Sequence, residues 1–444
     1  MSATETGADT QAPGDLITPG LTPVQRLRAI LGGSAGNLVE WYDWFAYSAF
    51  SIYFARIFFP EGDTTAQYMK TAVVFAVGFL ARPVGAWLMG IYADRAGRKA
   101  ALTVSVSMMC VGSLVIALAP GHAQIGNAAA VILVLARLLQ GLSVGGEYGA
   151  SATYMSEMAG KARRGFWSSF QYVTLIMGQL LAALVLVLLQ QTMDKTDLAA
   201  WGWRIPFFIG AGLAVVVFWM RRSMEESASF TAAKAETQDR GKTMLLFLKY
   251  PKETLAIMGL TAAGSLGFYA YTTYMLKFLE NTAGFSKETA GAINLATLVC
   301  FMLIQPLFGW LSDRLGRKAM LISAFGVGAL LAVPVFTLIG GTDSILLAFG
   351  MILAALTIQS AYTSISAVVK AELFPAHVRA LGVALPYAIA NAIFGGTAEY
   401  VALWFKSQGM ESGFYWYVSA IMGVALLVSI LLRDTGKTSL IRED

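Results

Sequence analysis

Charge is what this sequence has least of. Of its 444 residues, 13% are Asp, Glu, Lys or Arg and 57% are hydrophobic, whereas a soluble domain carries roughly 25% charged residues. A soluble chain of this length would leave too much apolar surface in water. The composition therefore points to lipid, which asks for apolar side chains outside as well as inside. Cysteine and histidine are scarce too. Cys110 and Cys300 each lie in an apolar run, which excludes a disulfide framework, and with His122 and His377 they cannot build a Cys/His zinc centre. No metal and no cofactor is expected, nor an intramembrane enzyme that needs such ligands. Residues 1–27 lack a basic start followed by an apolar core, so no signal peptide is visible there.

What the sequence has is long apolar runs. About 20 residues at 1.5 Å rise cross the roughly 30 Å hydrocarbon layer. Twelve such runs stand between polar breaks, at residues 29–58, 70–92, 100–119, 129–155, 166–191, 204–221, 254–279, 290–312, 319–340, 345–369, 380–404 and 413–432. The expected fold is an all-α membrane protein of twelve transmembrane helices in two pseudo-symmetric six-helix bundles. Residues 1–27 read as a disordered cytoplasmic tail, 28–221 as the N-terminal bundle and 222–252 as a polar cytoplasmic linker. Residues 253–433 read as the C-terminal bundle and 434–444 as a second cytoplasmic tail.

Basic residues set the orientation, because Lys- and Arg-rich loops stay in the cytoplasm. With the N-terminus inside, the inner connections hold Arg95, Arg98, Lys99, Lys161, Arg163, Arg164, Arg314, Arg317, Lys318 and Arg379. The outer ones hold chiefly Arg56, Lys70, Lys195, Lys277, Lys287 and Lys406. Both termini are expected in the cytoplasm. The formal charge of +5 then belongs to these loops, and no nucleic-acid partner is expected.

The chain repeats itself. Gly90, Asp94, Arg95, Gly97, Arg98 and Lys99 recur in the same order and spacing as Gly309, Asp313, Arg314, Gly316, Arg317 and Lys318. Glu157 and Arg164 are echoed by Glu372 and Arg379. A basic topogenic loop explains the charges but not the duplicated Gly and Asp. Glycine lets two helix ends approach closely, and aspartate can accept hydrogen bonds from a neighbouring helix N-terminus.

A second set of charges lies at membrane depth, where each costs about 2.5–3.5 kcal/mol at a helix centre and normally marks a pathway or a partner. These are Glu40 and Asp43 in run one, Arg82 in run two, Arg137 and Glu147 in run four and Glu399 in run eleven. Asn37, Glu40, Asp43 and Tyr47 fall on one helical stripe. Two acids so placed can hold one proton between them, because like charges out of water repel. The alternative is that they only neutralise Arg82 or Arg137. A guanidinium binds a carboxylate through two parallel hydrogen bonds, so two arginines facing one cavity suit a small dicarboxylate, one for each end. The second half adds polar and aromatic positions: Tyr269 and Thr273, Gln359 and Tyr362, and Asn391.

The duplicated Gly-x-x-x-Asp-Arg-x-Gly-Arg-Lys loop resembles that of the major facilitator superfamily. Gly-Asn-Leu-Val-Glu-Trp-Tyr-Asp from Gly36, Gly-Gly-Glu-Tyr-Gly from Gly145, Trp-Gly-Trp-Arg-Ile-Pro-Phe from Trp201 and Ala-Glu-Leu-Phe-Pro-Ala-His-Val-Arg from Ala371 look like its metabolite:proton symporter branch. The resemblance covers nearly all twelve runs. It implies proton-coupled symport of 2-oxoglutarate into the cell, across a bacterial inner membrane, by a monomer in the lipid bilayer. Citrate or another dicarboxylate, shikimate and a zwitterionic osmolyte remain alternatives. The residues that fall on the motifs of this resemblance are Arg82 and Arg137 in the cavity, Glu40 and Asp43 in run one, and Asp94, Arg95 and Arg98 in the gating loop. With the polar positions at membrane depth, the expected substrate-binding residues are Arg82, Arg137, Asn37, Tyr47, Gln171, Tyr269, Thr273, Gln359, Tyr362 and Asn391, and the expected proton-coupling residues Glu40, Asp43 and Glu147. The repeat extends the expected gating set to Asp94, Arg95, Arg98, Asp313, Arg314 and Arg317. Run five carries Tyr-Val-Thr-Leu-Ile-Met-Gly-Gln-Leu-Leu in place of the Gly-Pro-x-x-Gly-Gly string of the superfamily's drug antiporters, which favours symport.

Overall fold

The computed structural model describes residues 23–96, 98–144, 156, 163–222 and 249–441. Among them every long element is helical. The first bundle contains α1 (Pro23–Phe58), α2 (Thr64–Ala96), α3 (Arg98–Leu118), α4 (Ala128–Val144), α5 (Arg164–Ser168 and Phe170–Thr192) and α6 (Ile205–Arg222). The second contains α7 (Pro251–Tyr271 and Thr273–Asn281), α8 (Lys287–Leu315), α9 (Arg317–Gly340) and α10 (Ile345–Thr363 and Ser366–Glu372). It ends with α11 (Ala376–Ala390, a π turn Asn391–Gly395, and Ala398–Ser407) and α12 (Glu411–Leu431). Nine of these are long and apolar enough to cross a membrane, and the segments Thr103–Leu118 and Ala128–Ser143 are shorter apolar helices. With α1, whose acids lower its hydropathy, the described residues hold the twelve helices that the apolar runs predict.

Helix ends follow local chemistry. Pro251 opens α7, where a missing N–H costs nothing. Ser286 caps α8 by accepting from the Thr289 N–H at 3.1 Å. Pro83, Pro306, Pro334 and Pro386 lie inside helices, which a bilayer tolerates because neighbouring helices satisfy the freed carbonyls. Large apolar side chains such as Trp87, Leu330 and Leu346 point outward, at 63%, 77% and 79% exposure, as lipid contact requires.

Within the first bundle α2 packs on α4, α1 on α5 and α3 on α6; within the second α8 packs on α10 and α9 on α12. The bundles meet along α5 with α8, α2 with α11, and α1 with α7. Glycine makes two of these seams possible. A side chain at Gly141 on α4 would start 2.1 Å from the Gly78 carbonyl oxygen on α2, and one at Gly165 on α5 would lie 2.5 Å from the Gly309 carbonyl oxygen on α8. The helices touch backbone to backbone, as small residues allow in membranes.

Residues 434–441 of the expected tail pack against one end of the second bundle. Thr435 donates to Glu372 at 2.7 Å, the Leu440 N–H donates to the Glu372 carbonyl at 3.1 Å, and Ile441 is buried beside Ala371 and Tyr387.

Gly141→Leu is expected to force α2 from α4 and abolish the monodisperse folded protein. Gly350→Ala, on α10 with open space around it, should keep or slightly raise the thermal unfolding midpoint in detergent, because Ala favours a helix over Gly by roughly 0.5–1 kcal/mol.

Candidate functional site

The α2–α4 glycine contact sets two arginines side by side. Arg82 on α2 is 5% exposed and Arg137 on α4 is 0% exposed. Both lie against Trp44 of α1, their guanidinium carbons 4.1 Å and 3.8 Å from its ring centroid. Arg82 also faces Phe79 at 4.1 Å and Trp41 at 4.8 Å, and Arg137 faces Tyr47 at 4.6 Å. Ring faces attract desolvated cations by about 2 kcal/mol, which offsets part of burying two like charges. Rings do not satisfy N–H groups, however. Nε and Nη2 of both arginines are buried without a hydrogen-bond partner, so each planar fork presents donors that match a carboxylate.

Arg137 Nη1 donates to Gln140 Oε1 at 2.7 Å. The Gln140 amide in turn donates to the Asp43 carboxylate, which also accepts from the Ser113 hydroxyl. Asp43 and Arg137 are thus joined through Gln140. The Tyr47 hydroxyl donates to the Thr71 carbonyl on α2 at 3.2 Å. Glu40 is 5% exposed, within electrostatic reach of Arg82, and lines a cavity of about 20 Å³ with Ser105, Met109 and Val217. The acids of α1 therefore face α3, α4 and α6 inside the first bundle.

The second bundle brings Tyr269 and Asn391 to this tier. The Tyr269 ring meets Phe79 edge-on at 5.4 Å and stands beside Asn391. Asn391 opens the π turn of α11, and its amide nitrogen is buried without a partner; such turns recur at functional sites. Thr273 accepts from Gln179 at 3.5 Å, and both line a small cavity of about 10 Å³ between the bundles with Phe45, Ser48 and Asn294. Gln171 is buried on α5. Gln359 and Tyr362 lie elsewhere. Gln359 donates to the Gly264 carbonyl at 2.7 Å, and the Tyr362 ring fills the space beside Gly264, 1.8 Å from where a Cβ would be. Both join α10 to α7 inside the second bundle, away from the arginines. The Asn37 side chain and Glu147 lie outside the described residues.

Where α5 begins and α8 ends, Asp313 accepts from the backbone N–H groups of Gly165 and Phe166 at 2.8 and 3.0 Å and pairs with Arg317 at 2.9 Å. Glu372 stands 3.9 Å from both Arg164 and Arg317, and Arg164 donates to Ser439 at 3.4 Å. Arg314 is not part of this cluster; it is exposed and stacks on Trp310 at 3.9 Å. The side chains of Asp94, Arg95 and Arg98 lie outside the described set.

Three residues escaped the sequence reading. Gln140 follows Arg137 by one turn on the same face, a signal that was available. Ser113 is a lone hydroxyl in an apolar helix and gave none. Lys277, counted above in an outer connection, is in fact 1% exposed within α7 and ion-paired with Glu399 on α11. Its setting Tyr-Met-Leu-Lys-Phe-Leu is that of a buried helix rather than a loop.

Comparison with known proteins follows from this geometry. The chain matches the family described as sugar (and other) transporter over residues 29–253 and 241–435. It is 54% identical over 413 residues to an alpha-ketoglutarate permease of Escherichia coli K12, covering 93% of this chain and 95% of that one. It is 31% identical to a citrate-proton symporter of Klebsiella pneumoniae, covering 90% of each. Among solved structures, the proton:xylose symporter XylE from E. coli, of the major facilitator superfamily, superposes with a TM-score of 0.73 at 18% identity, covering 94% of this chain and 98% of that one.

Gln140→Leu is expected to cost about 3–5 kcal/mol of stability, since it strips donors from a buried carboxylate. Ser113→Ala should cost about 1–3 kcal/mol. Chemical unfolding in detergent checks the order.

Proposed function

The chain belongs to the sugar (and other) transporter family and has the major facilitator fold, and on that premise we propose that it carries 2-oxoglutarate into the cell together with protons by alternating access. It is a transporter and not an enzyme, and a multi-pass inner-membrane protein. The observation that carries the reading is the pair of buried guanidinium groups with unpaired Nε and Nη2 donors on one indole. A dicarboxylate supplies one acceptor group to each fork. A zwitterion supplies one carboxylate and a cation that two arginines repel, which argues against an osmolyte. Alpha-ketoglutarate is what the 54%-identical permease is named for, and the resemblance in the first-bundle strings supports the same substrate.

In this reading Arg82 and Arg137 hold the carboxylates. Tyr269 and Asn391 reach the anion from the second bundle, so that binding draws the bundles together around a central site. Tyr47 and Gln171 shape the first-bundle wall, and Thr273 the opposing one. Asn37 is assigned from its place on the α1 stripe and Glu147 as a charge at membrane depth. Gln359 and Tyr362 support α7 from behind. Asp43 is the coupling carboxyl of the first bundle, because Gln140 links it to Arg137: an anion on Arg137 changes the field at Asp43, and a proton on Asp43 changes the hold on the anion. Glu40 stands in the same relation to Arg82.

Asp313 and Arg317, with Asp94, Arg95, Arg98 and Arg314 in the first copy and its echo, form the inner gate. The Asp313 contact with the start of α5 breaks when the inner side opens. Both termini face the cytoplasm, and one chain is the working unit.

Labelled 2-oxoglutarate should enter proteoliposomes faster when the outside is acidified. Arg137→Ala should abolish this, losing at least tenfold in affinity, because truncating one partner of a buried charge pair costs about 2–5 kcal/mol. Arg137→Lys should restore little, lacking the fork. Unlabelled dicarboxylates should compete where betaine does not; uptake indifferent to the proton gradient would sink the coupling.

A further inference from the structure

The second bundle holds one buried charge pair that no step above employs. Lys277 on the second piece of α7 is 1% exposed and Glu399 on α11 is 3% exposed. They form an ion pair, and Ser48 on α1 donates to the other carboxylate oxygen at 3.2 Å, so the pair reaches across the seam between bundles. Burying two ions costs several kcal/mol each, and an apolar pair of equal volume is often the more stable choice. Packing alone does not call for it.

Two observations tie the pair to the transport route. Ser48 lines the small cavity between the bundles together with Gln179 and Thr273. Tyr47, whose ring lies 4.6 Å from the Arg137 guanidinium, is within electrostatic reach of Glu399 and adjoins Ser48 in the chain. The other titratable groups that face Glu399 are Tyr68 on α2 and Tyr274 on α7. Glu411 and Tyr415 of α12 act on Tyr274. The same piece of α7 carries Glu280 to Tyr68 at 2.5 Å and Asn281 to Thr65 at 3.1 Å, closing the outer side against α2.

Resting on the anion-symport reading, we propose that Lys277 and Glu399 are an exchangeable pair at which substrate and proton meet. The substrate carboxylate held by Arg137 replaces Glu399 as the counter-ion of Lys277. The displaced Glu399 then takes one proton from the outer side. One negative charge and one proton enter together, and the net charge at the pair is unchanged. On the inner side the proton leaves Glu399, which returns to Lys277 and expels the anion. Neither ion can be taken up alone without leaving a bare charge in the low-dielectric wall, which is what makes the exchange a coupling device. Because Lys277 sits on the segment that closes the outer side, the same exchange bears on that closure.

With the membrane potential clamped in proteoliposomes, each symported proton supports about tenfold accumulation per unit of pH difference. E399Q stands for the protonated carboxyl. It should bind labelled 2-oxoglutarate more tightly than wild type, with an affinity that rises less on acidification, and its accumulation should fall about tenfold for each unit of pH difference while exchange across the membrane continues. K277M should lose binding, and K277R should regain part of it. The double variant K277M/E399Q tests the structural alternative, since removing both members of a buried pair is often harmless. It should melt near the wild-type temperature and still fail to accumulate. Wild-type accumulation by E399Q, or restored accumulation by the double variant, would overturn the proposal. Wild-type uptake is measured in the same vesicles: silence there overturns the substrate reading, whereas coupled E399Q overturns only the role of this pair.

Discussion

Two guanidinium groups held against one indole, inside a bundle that lipid surrounds, are the constraint around which the first half is arranged. Like charges at that separation repel, and no aqueous counter-ion reaches them, so several features have to coincide. Gly78 and Gly141 bring α2 and α4 into backbone contact. Trp44, Trp41, Tyr47 and Phe79 offer π faces to the cations. Gln140 turns one oxygen to Arg137 and its amide to Asp43. Each feature is costly or pointless without the others, and their sum still leaves donors unmet.

The two halves handle charge differently despite their common ancestry of sequence. The first sets two arginines in an aromatic cage, with Glu40 and Asp43 buried in the same bundle; the second buries Lys277 against Glu399, and Lys370, Glu372, Arg317 and Arg379 elsewhere. Both halves contain interrupted helices: α5 at Ser169 in the first, and in the second α7 at Thr272, α10 between Thr363 and Ser366, and α11 at its π turn.

Much of this was legible in the sequence. Apolar runs announce lipid-spanning helices because water-free solvent leaves no other way to satisfy the backbone, and the duplicated loop exposes the two halves. Arg82, Arg137 and Asp43 stand out because charge is rare at depth. Side-chain direction was harder to read. The stripe containing Asp43 and Tyr47 was legible as a stripe, but whether it faces the central seam or the interior of its own bundle depends on how α1 is rotated, which packing against α3 and α4 decides. Gln359 and Tyr362 face α7 for the same reason, since Gly264 leaves the space that the tyrosine fills. Lys277 was misread because a basic residue near a helix end looks the same to a topology rule whether it faces water or Glu399.

The packed C-terminal segment has a consequence for biogenesis. Thr435, Ser439 and Leu440 complete the contacts of Glu372, Arg164 and Arg379 on the inner face. These residues follow α12 in the chain, so during translation all twelve helices can be inserted while this end of the bundles still lacks its clasp.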